Sequence, residues 1–263
     1  MKKIVTLHIV LLVSIIASSG YGEDFDIAAL FKSKGINGTL VISSLDGTKT
    51  YIHNDEQANK RVLPASTFKI PNTLIALEEG AVADGKEIIK WDGQDKGMPA
   101  WNKDQSIETA FPASCVWFYQ KLAKRVGKDK YEFYLKRMKY GNEQTGQDVT
   151  TFWLKGDLNI SPVEQVAFLK KMYAREYSFK PSSYELLRKI MIIEQTPDFT
   201  IRAKTGWAAI PRVGWIVGYV ESIDRVWFFA TNLEIEKPED LHLRQKVTIE
   251  VLKLKPGFTT CRS

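Results

Sequence analysis

Ser66 and Lys69 stand three positions apart in Ser66-Thr67-Phe68-Lys69, at the head of a run where Phe68, Ile70, Leu74, Ile75 and Leu77 recur at helical spacing before Gly80. Residues i and i+3 of a helix share a face, so the lysine amine can reach the serine hydroxyl. Serine is a weak nucleophile until a neighbour takes its proton. A lysine can take it only where burial or nearby charge brings its pKa well below about 10.4. A nucleophile with its base is one reading of the pair; a helix cap beside a solvated lysine is the other. Four residues alone do not separate them.

The elements that must hold such a pair are legible from periodicity. Short β-forming runs at 38–44 and 49–54 flank Asp46-Gly47 and read as a hairpin. From 66 to 193 the patterns are mainly helical: 66–80 with Pro71 tolerated near its start, 114–126 ended by Gly127, 128–138, 161–173 and 182–193. Strands return at 199–204, 215–220 and 226–232, the last two joined tightly through 222–225, and a helix over 238–254 closes the pattern. Strands at both ends with helices between them predict an α+β fold. Its antiparallel sheet interleaves N- and C-terminal strands and is flanked by helices.

Length and composition narrow the class. The chain has 263 residues, enough for one large domain. Lys2 and Lys3 precede an apolar run over 4–16 and the small residues Ala17, Ser18, Ser19, Gly20 and Gly22. That is the layout of a secretory leader, too short for a comfortable membrane span. The expectation is a leader over 1–22, removed on export, and a single domain over 23–263 with no membrane association. The two cysteines, Cys115 and Cys261, read as free thiols, and His8, His53 and His242 lack ligand spacing, so no metal site is suggested. The net charge of +6 comes from basic residues interspersed with acids, which argues against a nucleic-acid surface.

Four further motifs follow the serine in order: Ser114-Cys115-Val116, Tyr140-Gly141-Asn142, Trp153-Leu154-Lys155-Gly156 and Lys204-Thr205-Gly206. In this combination, from about Gly38 to Lys253, the chain resembles the class D β-lactamases, the oxacillinase family of serine β-lactam hydrolases. The resemblance implies a serine β-lactamase or penicillin-binding transpeptidase-like fold, with a mostly antiparallel sheet, an inserted all-helical region and the site in the cleft between. It implies that Ser66 attacks the β-lactam carbonyl, with the N–H groups of Ser66 and Trp207 as oxyanion donors. Lys69 would be N-carboxylated by CO2 or bicarbonate and act as general base, with no dissociable cofactor and no metal. Val116, Leu154, Phe68 and Trp153 would keep that lysine poorly hydrated, and the Trp153 indole would hold a carbamate oxygen.

On the same resemblance Ser114 would pass a proton to the lactam nitrogen with Lys204 behind it. Thr205, Gly206 and Arg244 would take the substrate carboxylate, and Met98 and Trp101 would form an apolar rim. Core packing is the alternative for Trp153, Met98 and Trp101, helix capping for Ser114, and an ordinary surface residue for Arg244. Val116 stands where transpeptidases carry asparagine, which favours hydrolysis over transpeptidation. Cys115 replaces a common alanine or valine, and His242 stands where proline is frequent. Glu164 could suggest the deacylating glutamate of another β-lactamase class, but its companion asparagine is replaced by Ala167. Tyr140-Gly141-Asn142 reads as architecture. The partners implied are β-lactam substrates, with the protein a periplasmic monomer or homodimer. A slowly deacylating peptidoglycan transpeptidase and a membrane-tethered β-lactam receptor are the competing functions.

Overall fold

The computed structural model describes residues 22–255. Among them six strands form one sheet: β1 (Gly38–Ser44), β2 (Thr50–His53), β3 (Ile192–Gln195), β4 (Phe199–Ala208), β5 (Val213–Ser222) and β6 (Val226–Glu234). Their spatial order is β2-β1-β6-β5-β4-β3, and every neighbouring pair is antiparallel. β1 lies against β6, with Val41 opposite Ala230, so the two ends of the sequence meet in the middle of the sheet. The helices are α1 (Phe25–Ser33), α2 (Asp55–Asn59), α3 (Lys69–Glu78), α4 (Ile107–Ala110), α5 (Val116–Val126), α6 (Lys128–Met138), α7 (Pro162–Tyr173), α8 (Pro181–Ile190) and α9 (Leu243–Leu254).

The strands bury both faces, and the two-residue alternation sorts their side chains into two cores. Val217, Tyr219, Phe228 and Ala230 face one core, shared with α3, α5, α6 and α7. Ile216, Val220, Phe229 and Trp227 face the other, covered by Ile27 and Phe31 of α1 and Val247 and Val251 of α9. The α+β expectation holds, including the interleaving of terminal strands.

Some boundaries differ from the sequence pattern. The helix expected over 182–193 stops at Ile190, and Ile192–Gln195 becomes the edge strand β3, with Ile192 opposite Arg202. Pairing with β4 claims these β-branched residues, a tertiary preference that outweighs helical periodicity. The closing helix begins at Leu243, because 238–242 forms a 3-10 turn with Pro238 at its start. β4 runs on past Lys204 to Ala208, since Thr205 to Ala208 pair with Ile216 to Val213. The periodicity does not predict helices α1 and α2, although Asp24 and Asn54 cap them by accepting from the Ile27 and Gln57 N–H groups.

Residues 1–21 of the expected leader and Cys261 lie outside the described residues. Among the described residues no helix is long and apolar enough to cross a membrane, and no group of three His, Cys, Asp or Glu residues could hold a metal.

Candidate active site

Ser66 does not lie on an α-helix. Ala65–Phe68 form a 3-10 turn that runs straight into α3 at Lys69. Side chains at i and i+3 eclipse in that tighter helix. Lys69 Nζ accordingly donates to Ser66 Oγ at 2.9 Å. Ala65 holds φ at +48°, a left-handed value that costs a residue with a Cβ and sets the angle at which the serine leaves the turn. Gln165 of α7 braces the turn from behind: its Nε2 donates to Thr67 Oγ1 at 2.9 Å, and that hydroxyl donates to the Pro64 carbonyl at 2.7 Å.

Lys69 is fully buried, and burial lowers its pKa to about 7, against a smaller opposing influence from Cys115. The ring of Tyr119 lies beneath the amine, 5.1 Å from Nζ to the ring centroid. The Tyr119 hydroxyl is hydrogen-bonded to Thr73 Oγ1 at 2.8 Å, and Thr73 Oγ1 donates to the Lys69 carbonyl at 2.7 Å. Sequence reasoning missed Tyr119, Thr73 and Gln165. Tyr119 had a signal: it stands three positions after Val116, on the same helical face.

Ser114 sits just before α5 with φ at +55°. Its Oγ accepts from Lys204 Nζ at 3.1 Å, and the same ammonium donates to the Thr205 carbonyl at 3.0 Å. Burial, reinforced by the positive charges of Lys69 and Arg244, drives the Lys204 pKa well below its ordinary value. Two buried lysines therefore bear on one pocket, and the charge of Lys69 disfavours that of Lys204.

β4 reaches this pocket because Gly206 has no side chain. A Cβ there would meet the Pro64 carbonyl oxygen at 2.9 Å and the Thr67 nitrogen at 3.2 Å, so the strand lies directly against the Ser66 turn. β3 pairs with β4 only as far as Arg202, which leaves the Lys204 to Ala208 stretch without a strand on that side among the described residues. Thr205 is half-buried there and Trp207 is 40% exposed.

Arg244 joins the site rather than the surface. It crosses from α9 beside Gly214, where a Cβ would lie 3.2 Å from Arg244 Cδ, and donates through Nη1 to the Gly206 carbonyl at 2.7 Å. Desolvation lowers its pKa to about 10. On the other side Met98 is 47% exposed, next to the 3-10 turn Pro99–Trp101, and Trp101 Nε1 donates to the Ala113 carbonyl at 2.8 Å. That bond ties the rim to the residue preceding Ser114.

Trp153 is fully buried and stacked on Phe68, with ring centroids 5.7 Å apart. Its Nε1 is buried and has no hydrogen-bond partner among the described residues. A buried indole N–H without an acceptor is costly and marks a place where an oxygen would be favourable. Val116 opens α5, and Leu154 packs half-buried against the core around Trp153. The ring that the amine lies over, however, is that of Tyr119.

Two features lie off the chemistry. Glu164 pairs its carboxylate with Arg61 Nη2 at 2.5 Å and closes a capping box with Ser161 at the start of α7. Asn142 Oδ1 accepts from the Asn159 N–H at 2.9 Å and its Nδ2 donates to the Asp157 carbonyl at 2.7 Å, so the Tyr140-Gly141-Asn142 turn clamps the 157–159 segment that follows Trp153.

Residues 37–253 match the family model of the penicillin binding protein transpeptidase domain. The chain is 40% identical to the β-lactamase OXA-48 of Klebsiella pneumoniae over 227 residues, 86% of each chain. It is 38% identical to the β-lactamase OXA-20 of Pseudomonas aeruginosa over 239 residues, 90% of this chain and 87% of the other. Among solved structures, FUS-1 (OXA-85), a class D β-lactamase of Fusobacterium nucleatum subsp. polymorphum, superposes with a TM-score of 0.87 at 36% identity, covering 91% of this chain and all of that one. The class D β-lactamase YbXI from Nostoc gives a TM-score of 0.84 at 42% identity, covering 86% and 97%.

Proposed function

The chain belongs to the class D serine β-lactamases, and on that premise we propose that it hydrolyses β-lactam antibiotics, penicillins and oxacillin-type penicillins among them, through an acyl-enzyme on Ser66. The observation that carries this is the Ser66 hydroxyl 2.9 Å from an amine whose pKa burial lowers to about 7, so that a substantial fraction is uncharged near neutral pH. In acylation Ser66 Oγ bonds to the lactam carbonyl carbon and loses its proton towards Lys69. The ring C–N bond breaks, and the nitrogen takes a proton from Ser114, which Lys204 resupplies. The backbone N–H groups of Ser66 and Trp207 serve the developing oxyanion, a pair of fixed donors of which each is worth roughly 100- to 1,000-fold in rate. Arg244 and Thr205 hold the substrate carboxylate, with Gly206 keeping that wall close, while Met98 and Trp101 flank the acyl side chain. In deacylation a water adds to the ester carbonyl and Ser66 leaves as the alcohol.

Lys69 fits N-carboxylation. The amine is uncharged enough to take up CO2, and Trp153 Nε1 is a buried donor without an acceptor among the described residues. The carbamate would supply an anionic oxygen as proton acceptor for both half-reactions. Trp153 would hold one of its oxygens inside the apolar shell to which Phe68, Leu154 and Val116 contribute. The only co-reactant required is CO2 or bicarbonate.

Export to the periplasm follows from the leader pattern at 1–22. The working unit is then the single domain from residue 23 onwards.

The test combines intact mass with turnover. The wild-type protein should hydrolyse many equivalents of a chromogenic cephalosporin or penicillin per Ser66, and Ser66→Ala should form no acyl adduct. A stable stoichiometric adduct without turnover would assign the protein to the slowly released transpeptidases instead. An adduct on Ser66→Ala would move the nucleophile elsewhere.

A further inference from the structure

Trp117 lies outside every motif that marks the site, yet its indole is bonded to the rim. It is the second residue of α5, where a long side chain points back towards the helix start and the preceding turn. There Trp117 Nε1 donates to the Trp101 carbonyl at 2.9 Å, while Trp101 Nε1 donates to the Ala113 carbonyl at 2.8 Å. Trp101 therefore gives one hydrogen bond to the residue before Ser114 and receives one from a residue three after it. The two indoles bracket Ser114, whose own backbone is held at φ +55°. Trp117 is buried, and Lys121 Nζ lies 5.0 Å above its ring and donates to the Lys90 carbonyl at 2.9 Å, which fixes the indole from the solvent side. The rim itself is short and otherwise held by local bonds, from Trp101 N–H to the Met98 carbonyl and from Gln105 Nε2 to the Ala100 carbonyl.

We propose that Trp117 is a positioning residue that pins the Met98–Trp101 rim against the Ser114 segment, and that selectivity for β-lactams with a large acyl side chain depends on this bond. The proposal rests on the hydrolase reading above. A substrate with a bulky aromatic side chain uses the rim as a wall, whereas the bare penicillin nucleus does not reach it. Loss of the Trp117 N–H would leave the Trp101 carbonyl without this donor and let the rim move, with no change to Ser66, Lys69 or Lys204.

Trp117→Phe keeps an aromatic ring and removes the N–H. For an oxacillin-type penicillin KM should rise about tenfold, with kcat within about twofold; for 6-aminopenicillanic acid both should stay within about twofold. Equal loss on the two substrates, or loss on neither, overturns the proposal. Backbone hydrogen exchange reads the same bond without activity: the Trp101 and Asn102 amides should exchange about tenfold faster in the variant, with Lys204 to Ala208 unchanged. Unchanged exchange at Trp101 and Asn102 overturns it. In the wild-type protein the Trp117 indole proton should itself exchange slowly, and exchange at the rate of a free indole overturns the proposal without any variant. If the wild-type protein hydrolyses neither penicillin, the hydrolase reading fails, while the exchange results still decide whether Trp117 holds the rim.

Discussion

Lys69 concentrates the residue-scale physics. Its amine is fully buried over the Tyr119 ring, and it donates to the neutral Ser66 hydroxyl rather than to a carboxylate. Burial therefore acts almost unopposed and brings its pKa from 10.5 to about 7. A lysine whose folded pKa lies below its unfolded value penalises folding fully at pH values below both, because the charged amine must be desolvated. The penalty is relieved as pH climbs from about 7 to about 10.5, where the unfolded chain still holds the proton that the folded one has released. In CO2-free buffer the unfolding free energy of the wild-type protein should thus rise over that window more steeply than that of Lys69→Met, by up to about 1.4 kcal/mol per pH unit. Urea titrations at several pH values would measure it, and parallel slopes would mean that the amine is hydrated and unfit to take up CO2. Lys204 is shifted in the same direction and remains in both proteins; because the charge of Lys69 contributes to that shift, the slope difference reports Lys69 together with its coupling to Lys204.

At the scale of elements, the site depends on pieces that approach more closely than side chains allow. Gly206 lets β4 touch the Ser66 turn, and Gly214 makes room for Ile235 and, less closely, for the Arg244 side chain. Gly141 does the same for the turn that clamps the Trp153 segment: it holds φ at +58°, and a Cβ there would lie 2.0 Å from the Asn159 carbonyl oxygen. Gly93 provides a control, with φ at +78° but nothing within 4 Å of the point where a Cβ would lie. Gly93→Ala should cost about 1 kcal/mol from backbone strain alone. Gly141→Ala should cost at least about 2 kcal/mol and lower activity as well, since the strained turn displaces the segment that carries Trp153. Chemical denaturation and initial rates would check both, and equal costs for the two variants would show that close packing at Gly141 contributes nothing.

Across the whole molecule the two sheet faces divide the labour. The face covered by α3, α5 and α7 holds the reacting groups, and the face covered by α1 and α9 ties the ends of the described chain together. Lys255 Nζ is buried against Asp24 Oδ1 at 2.7 Å and lies 5.0 Å from the Tyr51 ring centroid. Asp24 Oδ1 also accepts from the Ile27 N–H at 3.1 Å. Asp24→Ala removes the cap of α1 and the nearer of the two carboxylates that pair with the buried ammonium, leaving Asp26 Oδ2 at 3.3 Å, so unfolding free energy should fall by about 1–3 kcal/mol. Penicillin turnover should stay within about twofold, because the tie is remote from Ser66 and lies eleven residues along from Arg244. A loss of kcat in proportion to the loss of stability would show instead that the two faces are coupled.

Residue spacing singled out Ser66 with Lys69 as a possible pair, because i, i+3 geometry is a local property of the chain, whereas Ser114, Lys204 and the Tyr-Gly-Asn turn drew their meaning from the ordered set of motifs and the family it resembles. Local order also predicted the α+β class, through strands at both ends and helices between. Tertiary structure decided the rest. Ile192 and Ile193 joined an edge strand because β4 was there to pair with them, and Ser66 sits on a 3-10 turn against which Gly206 of β4 packs closely. Tyr119 under the amine, Gln165 behind the turn and Trp117 on the rim came together across 46 to 98 residues of chain or through helix direction alone. Burial is likewise a property of the assembled fold: the sequence placed a lysine next to a serine, and only the packed core removed the water that would have kept it charged.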